Sequence, residues 1–348
     1  MALDFGLLLA FRNPPRWRRS FIDIYHEHFD QAALAEELGY DTVWLTEHHF
    51  LEDGWSPSLL PIASAIAMRT SRIRIGTFII LLPLRNALEV AEDAATVDII
   101  SRGRLDLGVG QGYRVPEFVG FGIPRKERPS RLEEGLEVIR RAWTQDDFSF
   151  EGKHYQIKNV TLMPKPVQRP HPPIWVAAMG PKAVQRAARF GFHLAGSGGE
   201  NLQQMYDEAL QKYGRDVDRH YLSQLRLVYI AETREKAWDD AQEHAHYMMA
   251  SYHRWFQEAG DLAWFQRCFS VPQLPAAQDL RHAPELSFFE APLIVGTPDD
   301  AIREIERYAA ASRVTHLAMW MQLAGMDPRK VHRSMELFAK EVMPHFRR

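Results

Sequence analysis

"IRIGTFIILLPLRNALEVAEDAATVDIISRGRLDLGVGQG", residues 73–112, decides the fold class. Residues 73–83 are β-branched and apolar on both faces, the composition of a strand covered on both sides. Residues 86–101 then space their apolar positions at helical intervals, and residues 103–112 return to a strand that runs into a glycine turn. A doubly buried strand, a helix and a second such strand make a parallel βαβ unit.

The same alternation extends both ways. Upstream lie an apolar strand at 3–11, stopped by Pro14 and Pro15, and a helix at 21–40 with Gly39 at its end. A strand at 41–46 and a helix at 56–71, opened by Ser56 and Pro57, follow. Downstream come strand 173–179, helix 181–191, strand 192–198, helix 200–214 and strand 224–232. Helix 299–312, strand 314–322 and a closing helix at 327–343 complete the series. Eight strands alternating with helices predict a (β/α)8 TIM barrel rather than an open doubly wound sheet. Residues 1–348 read as one such domain with two insertions, about 113–172 and 235–295. The first carries a helix at 130–144, a hairpin at 148–157 and a proline-rich run at 163–173; the second is rich in aromatic, Met and His residues.

Composition excludes several functions. The chain is 46% hydrophobic and 25% charged, with a net charge of −3 and its Lys and Arg interspersed, so it carries no footprint for nucleic acid. A single cysteine, Cys268, permits no internal disulfide and fits a reducing cytoplasm. No run approaches the roughly 18 apolar residues of a membrane span, and "MALDFGLLLAF" is too short and too acidic for a signal peptide.

Barrel enzymes place their chemistry where strands end. The predicted rim comprises residues 11–19, 47–50, 79–84, 108–117, 177–182, 196–199, Glu232 and 319–325. Glu47, His48 and His49 fall on it, whereas His26 and His28 fall mid-helix on the outside. Neighbouring strand residues point to opposite faces, so the two adjacent histidines are poorly disposed to share one metal ion. Other rim segments supply no further His or Asp ligands, so no metal is expected. A lone histidine at the mouth suits proton transfer, or simply ties down the strand end.

Three other segments attract notice. "GVGQG" (108–112) has Tyr113 where a dinucleotide fingerprint needs its third glycine, which leaves a loop open to a flat ligand or a tight strand exit. Gly180 and Pro181 precede a helix whose start can hold an anion, with Lys182 adding charge, or can be an ordinary cap. The arginines of "AFRNPPRWRR" (10–19) either attract an anion or sit solvated or against a second subunit. The aromatic and Met residues at 244–269 read as core or pocket wall, and Cys268 has no activating motif beside it.

Together, "TVWLTEHHF", the run from Ile73 to Gly122, "LMPKPVQRPHPPIWVAA" and "VGTPDDAIREIERY" resemble the bacterial luciferase-like flavin-dependent monooxygenases in order and spacing across the chain. The resemblance implies a (β/α)8 barrel that binds reduced FMN (FMNH2), reacts it with O2 and oxygenates a small, largely apolar organic substrate through a C4a-(hydro)peroxyflavin. It assigns His48 as catalytic. It places Glu47, Phe78, Ile79, Gln111, Gly112, Tyr113, Met179, Gly180 and Lys182 around the flavin, with a non-proline cis peptide at Phe78–Ile79. It further implies a separate flavin reductase, because no second nucleotide-binding segment is visible, and a homodimer. Gln111 departs from the arginine that holds the phosphate in the luciferases, so Lys182, the helix start or a first-loop arginine must serve. The same barrel also hosts F420-dependent hydride transfer and non-catalytic flavin binding, which remain the alternatives.

Overall fold

The computed structural model describes residues 3–196, 200–260, 268–269, 271, 273–283 and 286–347. Eight parallel strands form the barrel: β1 (Asp4–Leu9), β2 (Thr42–Leu45), β3 (Arg74–Thr77), β4 (Leu105–Gly110), β5 (Ile174–Ala178), β6 (His193–Gly196), β7 (Leu222–Ile230) and β8 (His316–Trp320). Each pairs with the next in sequence, and β8 pairs with β1 through Asp4 opposite His316, which closes the sheet. The predicted barrel is therefore the observed one.

The helices that cover it include α1 (Phe21–Leu38), α2 (Leu59–Arg69), α3 (Ala87–Ile100), the short α4 (Val115–Gly120), α5 (Arg128–Thr144), α6 (Pro181–Phe190), α7 (Glu200–Lys212), α8 (Arg234–Glu258), α9 (Pro298–Ala311) and α10 (Pro328–Leu337). Local chemistry sets several ends. Ser20 and Asn86 cap α1 and α3, Gly39 in the left-handed region ends α1, and a capping box between Thr297 and Asp300 opens α9.

Trp44 fills the middle of the barrel, packing edge-on to Phe78 at 5.7 Å and to Trp175 at 5.4 Å. Gly6 on β1 and Gly76 on β3 make room for it, since a Cβ on either would run into the indole. One large side chain is thus accommodated by two absent ones, the layered complementarity of a filled barrel.

Four expectations shift. The helix after β2 begins at Leu59 rather than Ser56, because the Ser56 hydroxyl bonds the carbonyl of Thr46 and its amide bonds that of Ala10. Residues 73–83 are not one strand. After Thr77 comes the cis peptide Phe78–Ile79, then Ile80–Leu81 beside Val109–Gly110, then a 3₁₀ turn. The closing helix loosens into a π turn at Phe338–Val342, where Pro344 cannot donate to the preceding turn. His28 is buried rather than outward-facing, stacked on Phe11 at 4.5 Å with Nδ1 donating to the carbonyl of Ile24. The end of predicted strand 192–198, the rim segment 197–199 and residues 261–267 of the second insertion lie outside the described residues.

Candidate active site

A cavity of about 550 Å³ opens at the C-terminal ends of the strands. Among its lining residues are Glu47, His48, Phe78, Ile79, Gln111, Gly112, Tyr113, Met179, Gly180 and Lys182, which the sequence spreads over 136 positions from 47 to 182. The fold brings all ten together.

The two adjacent histidines have separate partners. His48 Nδ1 donates to Glu117 Oε1 at 2.8 Å, and His49 Nε2 donates to Glu47 Oε1 at 2.7 Å. Among the described residues no cluster of three ligating side chains stands ready for a metal. Glu117 Oε1 also accepts the backbone N–H of His49 and Arg114 Nη1, at 3.0 and 3.1 Å. Arg114 holds the carbonyl of His49 as well and lies over the Trp255 ring at 4.8 Å. Glu117 is fully buried, which penalises its charge; His48, Arg114 and the His49 N–H outweigh that and hold its carboxyl below the usual range. An ionised Glu117 can only accept, so the His48 hydrogen sits on Nδ1 and Nε2 is left for proton exchange in the cavity His48 lines.

Around His48 stand aromatic rings from three elements. Trp55 meets its ring edge-on at 4.7 Å, Trp255 lies at 5.1 Å, Tyr113 at 5.8 Å and Tyr252 at 6.3 Å. Tyr252, Trp255 and Phe256 come from α8 in the second insertion; Tyr252 and Phe256 line the cavity while Met248 and Met249 are buried core, so the stretch divides between the two expected readings. Cys268 is buried.

Glu47 is steadied by Arg85 Nη2 at 3.1 Å, yet its Oε2 has no hydrogen-bond partner among the described residues. The same holds for Gln111 Oε1 and the Tyr113 hydroxyl, all buried in residues that line the cavity. The glycines of the β4 exit serve different ends. Gly108 is pressed against the carbonyl of Thr77 and Gly110 against Ile79, so both serve close packing. Gly112, at φ +70°, is the one that lines the cavity.

The cationic end differs from the sequence expectation. At the start of α6, Pro181 has no N–H and Ala183 and Val184 donate to the Gly180 carbonyl, which leaves few backbone donors. Positive charge instead comes from Lys182 together with Arg125 and Arg128 of the first insertion. No first-loop arginine takes part. Arg12 is buried on Asp53 at 2.6 Å, while Arg16, Arg18 and Arg19 pair with Glu243, Glu52 and Glu27 outside the cavity. Glu117, Arg125 and Arg128 carry no motif of their own in a single sequence, which is why sequence reading gives them no named role, whereas Tyr252 falls in the stretch read as core or pocket wall.

The family model for luciferase-like monooxygenases matches residues 3–315. The chain belongs to that family. Among luciferase-like relatives, it is 28% identical to the oxygenase component of flavin-dependent trigonelline monooxygenase from Acinetobacter baylyi, over 93% of this chain and 90% of that one. It is 29% identical to an F420-dependent glucose-6-phosphate dehydrogenase from Amycolatopsis mediterranei, over 91% and 93% of the two chains. Its fold superposes on the monooxygenase RslO1 from Streptomyces bottropensis with a TM-score of 0.83 at 27% identity, covering 99% and 100%. Its relatives thus include a flavin-dependent monooxygenase and an F420-dependent dehydrogenase, both of them oxidoreductases. Among the described residues no helix is long and apolar enough to cross a membrane.

Proposed function

We propose that this protein is the oxygenase component of a two-component monooxygenase: it binds FMNH2 delivered by a separate reductase and oxygenates a small, largely apolar substrate. One atom of O2 enters the product and the other leaves as water, with two electrons and two protons supplied by FMNH2. The flavin-dependent oxygenase relative, aligned over nearly the whole chain, supports this reading.

The residues fit a reduced flavin. Gln111 Oε1 and Glu47 Oε2 are buried acceptors without partners, suited to the N–H edge of a reduced isoalloxazine. Phe78, Ile79 and Met179 offer apolar contact, and Lys182, Arg125 and Arg128 offer charge for a phosphate. The flavin supplies the activation of oxygen; the protein orients it, keeps water away and manages protons.

The observation that carries the proposal is the His48–Glu117 pair set in an aromatic enclosure. Glu117 fixes the tautomer and faces of the imidazole, and His48 Nε2 holds or releases a proton beside the bound groups. The apolar wall limits the water that can reach the bound groups, which suits oxygen activation. Exposed Phe21, Phe50 and Phe121 form an apolar cluster that supports the expected homodimer, to be read by sedimentation.

The second reading is F420-dependent hydride transfer, favoured by the dehydrogenase relative. Titration of the protein with FMN and with F420, followed by oxygen uptake with FMNH2, separates the two. Binding of F420 alone, with substrate oxidised in the absence of O2, would reverse the assignment.

A further inference from the structure

We propose that Trp44, Trp175 and Tyr221 form a chain through the barrel that carries one-electron oxidising equivalents from the cavity to the opposite face of the protein. This goes beyond the monooxygenase reading and needs only that a flavin-type oxidant sits in the cavity.

The path is continuous. Phe78 lines the cavity and meets Trp44 of β2 edge-on at 5.7 Å. Trp44 meets Trp175, near the start of β5, at 5.4 Å. Trp175 in turn stacks on Tyr221 at 6.3 Å, with the two planes 26° apart. All three separations fall within the range of rings in contact. Trp44 and Trp175 are buried, whereas Tyr221 is 42% exposed. The cavity opens at the C-terminal ends of the strands and Tyr221 immediately precedes β7, so oxidisable rings span the barrel from one face to the other.

The polar groups beside the rings favour this route. Trp175 Nε1 donates to Asp106 Oδ1 at 3.1 Å, and a carboxylate at the indole stabilises positive charge on it. Asp106 gives its other oxygen to Arg74. The Trp44 N–H has no acceptor among the described residues, so an oxidised Trp44 keeps its proton and passes the charge on. A second aromatic route, from Trp55 through Tyr247 to Trp17, is interrupted by Arg12. Its guanidinium stands over Trp55 at 4.4 Å and over Tyr247 at 4.9 Å, where its charge opposes a positive ring.

The step balances. A flavin-based one-electron oxidant in the cavity takes an electron from Trp44, which is refilled from Trp175 and that in turn from Tyr221. The Tyr221 phenol loses its proton to solvent and becomes a neutral radical. A soluble thiol then returns a hydrogen atom to it and leaves as a thiyl radical. An oxidising equivalent that fails to reach substrate thus exits through the barrel instead of attacking the rings around His48.

Blue-light flashes on the protein loaded with oxidised FMN, freed of unbound flavin and mixed with a nitrone spin trap, supply the oxidant at will. Electron paramagnetic resonance should show a tyrosyl radical, and peptide mass spectrometry should place the trap adduct on Tyr221. Trp175→Phe, which keeps a ring outside the cavity lining, should bind FMN as wild type does and lose the adduct; Trp175→Tyr, which keeps an oxidisable ring, should retain it. Tyr221→Phe should lose both signals. An adduct that persists in Trp175→Phe, or one on Tyr247 or Trp17 in place of Tyr221, overturns the proposal. If FMN does not bind and F420 does, the same flash on the F420 complex gives the same readout, so the monooxygenase reading can fail while the chain stands. A cavity that takes up neither has no oxidant at the head of the chain and refutes it.

Discussion

His48 Nδ1 lies 2.8 Å from Glu117 Oε1, and 69 residues of chain separate the two. The histidine sits in the loop just after β2 and the glutamate in α4 near the start of the first insertion, so the barrel rim supplies the base and the insertion supplies what orients it. Arg114 and the His49 amide share the same carboxylate oxygen, which makes the pair a small buried network rather than an isolated contact.

From this follows the behaviour of Glu117→Gln. The amide keeps the shape but removes the charge and permits the wrong His48 tautomer, so turnover should fall by about tenfold or more. Its pH profile should shift, and Glu117→Asp should restore part of the rate. Steady-state oxygen consumption across pH measures this; a Glu117→Gln rate equal to wild type would remove Glu117 from the account.

Lys182→Ala should weaken FMN binding about tenfold and leave riboflavin binding nearly unchanged, because the two ligands differ only in the phosphate. Arg125→Ala should act in the same direction, whereas Arg16→Ala, an exposed partner of Glu243, should not. Fluorescence titration of both flavins reads the difference.

The barrel was legible in the sequence because doubly buried strands write themselves as continuous apolar runs, as in 73–83 and 103–112. Nine of the ten cavity residues were legible through their place at strand ends together with a family resemblance, and Phe78 through the resemblance alone. What escaped was which insertion residues meet His48. Glu117 and Tyr252 come to His48 through tertiary packing, which leaves no period or spacing in the chain. The arginines of the first loop stayed open between an anion site and a solvated or subunit-facing loop for the complementary reason: charge is visible in sequence, but the carboxylates that pair with it, Asp53 and Glu243, are distant.

Gly76→Ala should destabilise the fold by about 2 kcal/mol, since its Cβ would meet the Trp44 indole in a filled barrel. Thermal denaturation should show a lower Tm, and Trp44→Phe in the same chain should recover part of the loss. A Tm unchanged by Gly76→Ala would mean the barrel interior is less closely packed than the account requires.

Burial lowers His28 from its ordinary value to about 4, and it lowers His193, which also faces His220 and His316, to about 3. The unfolded chain therefore takes up these protons before the folded one does. Stability is fully present above about pH 6.5 and is lost as pH falls from there toward 4 and then 3. For His28 alone the loss is about 3 kcal/mol. Tm measured from pH 7 to 4 should decline, and His28→Gln should show a shallower decline from a lower starting Tm.

The most direct test of the central claim is stopped-flow spectroscopy of the anaerobic protein loaded with FMNH2 and mixed with oxygenated buffer. The account predicts that bound flavin returns to its oxidised spectrum much more slowly than free FMNH2, by way of a spectrum that matches neither oxidation state. Slow return should be lost in Glu117→Gln. Reoxidation at the rate of free flavin, or failure to bind FMNH2 while F420 binds, would contradict it.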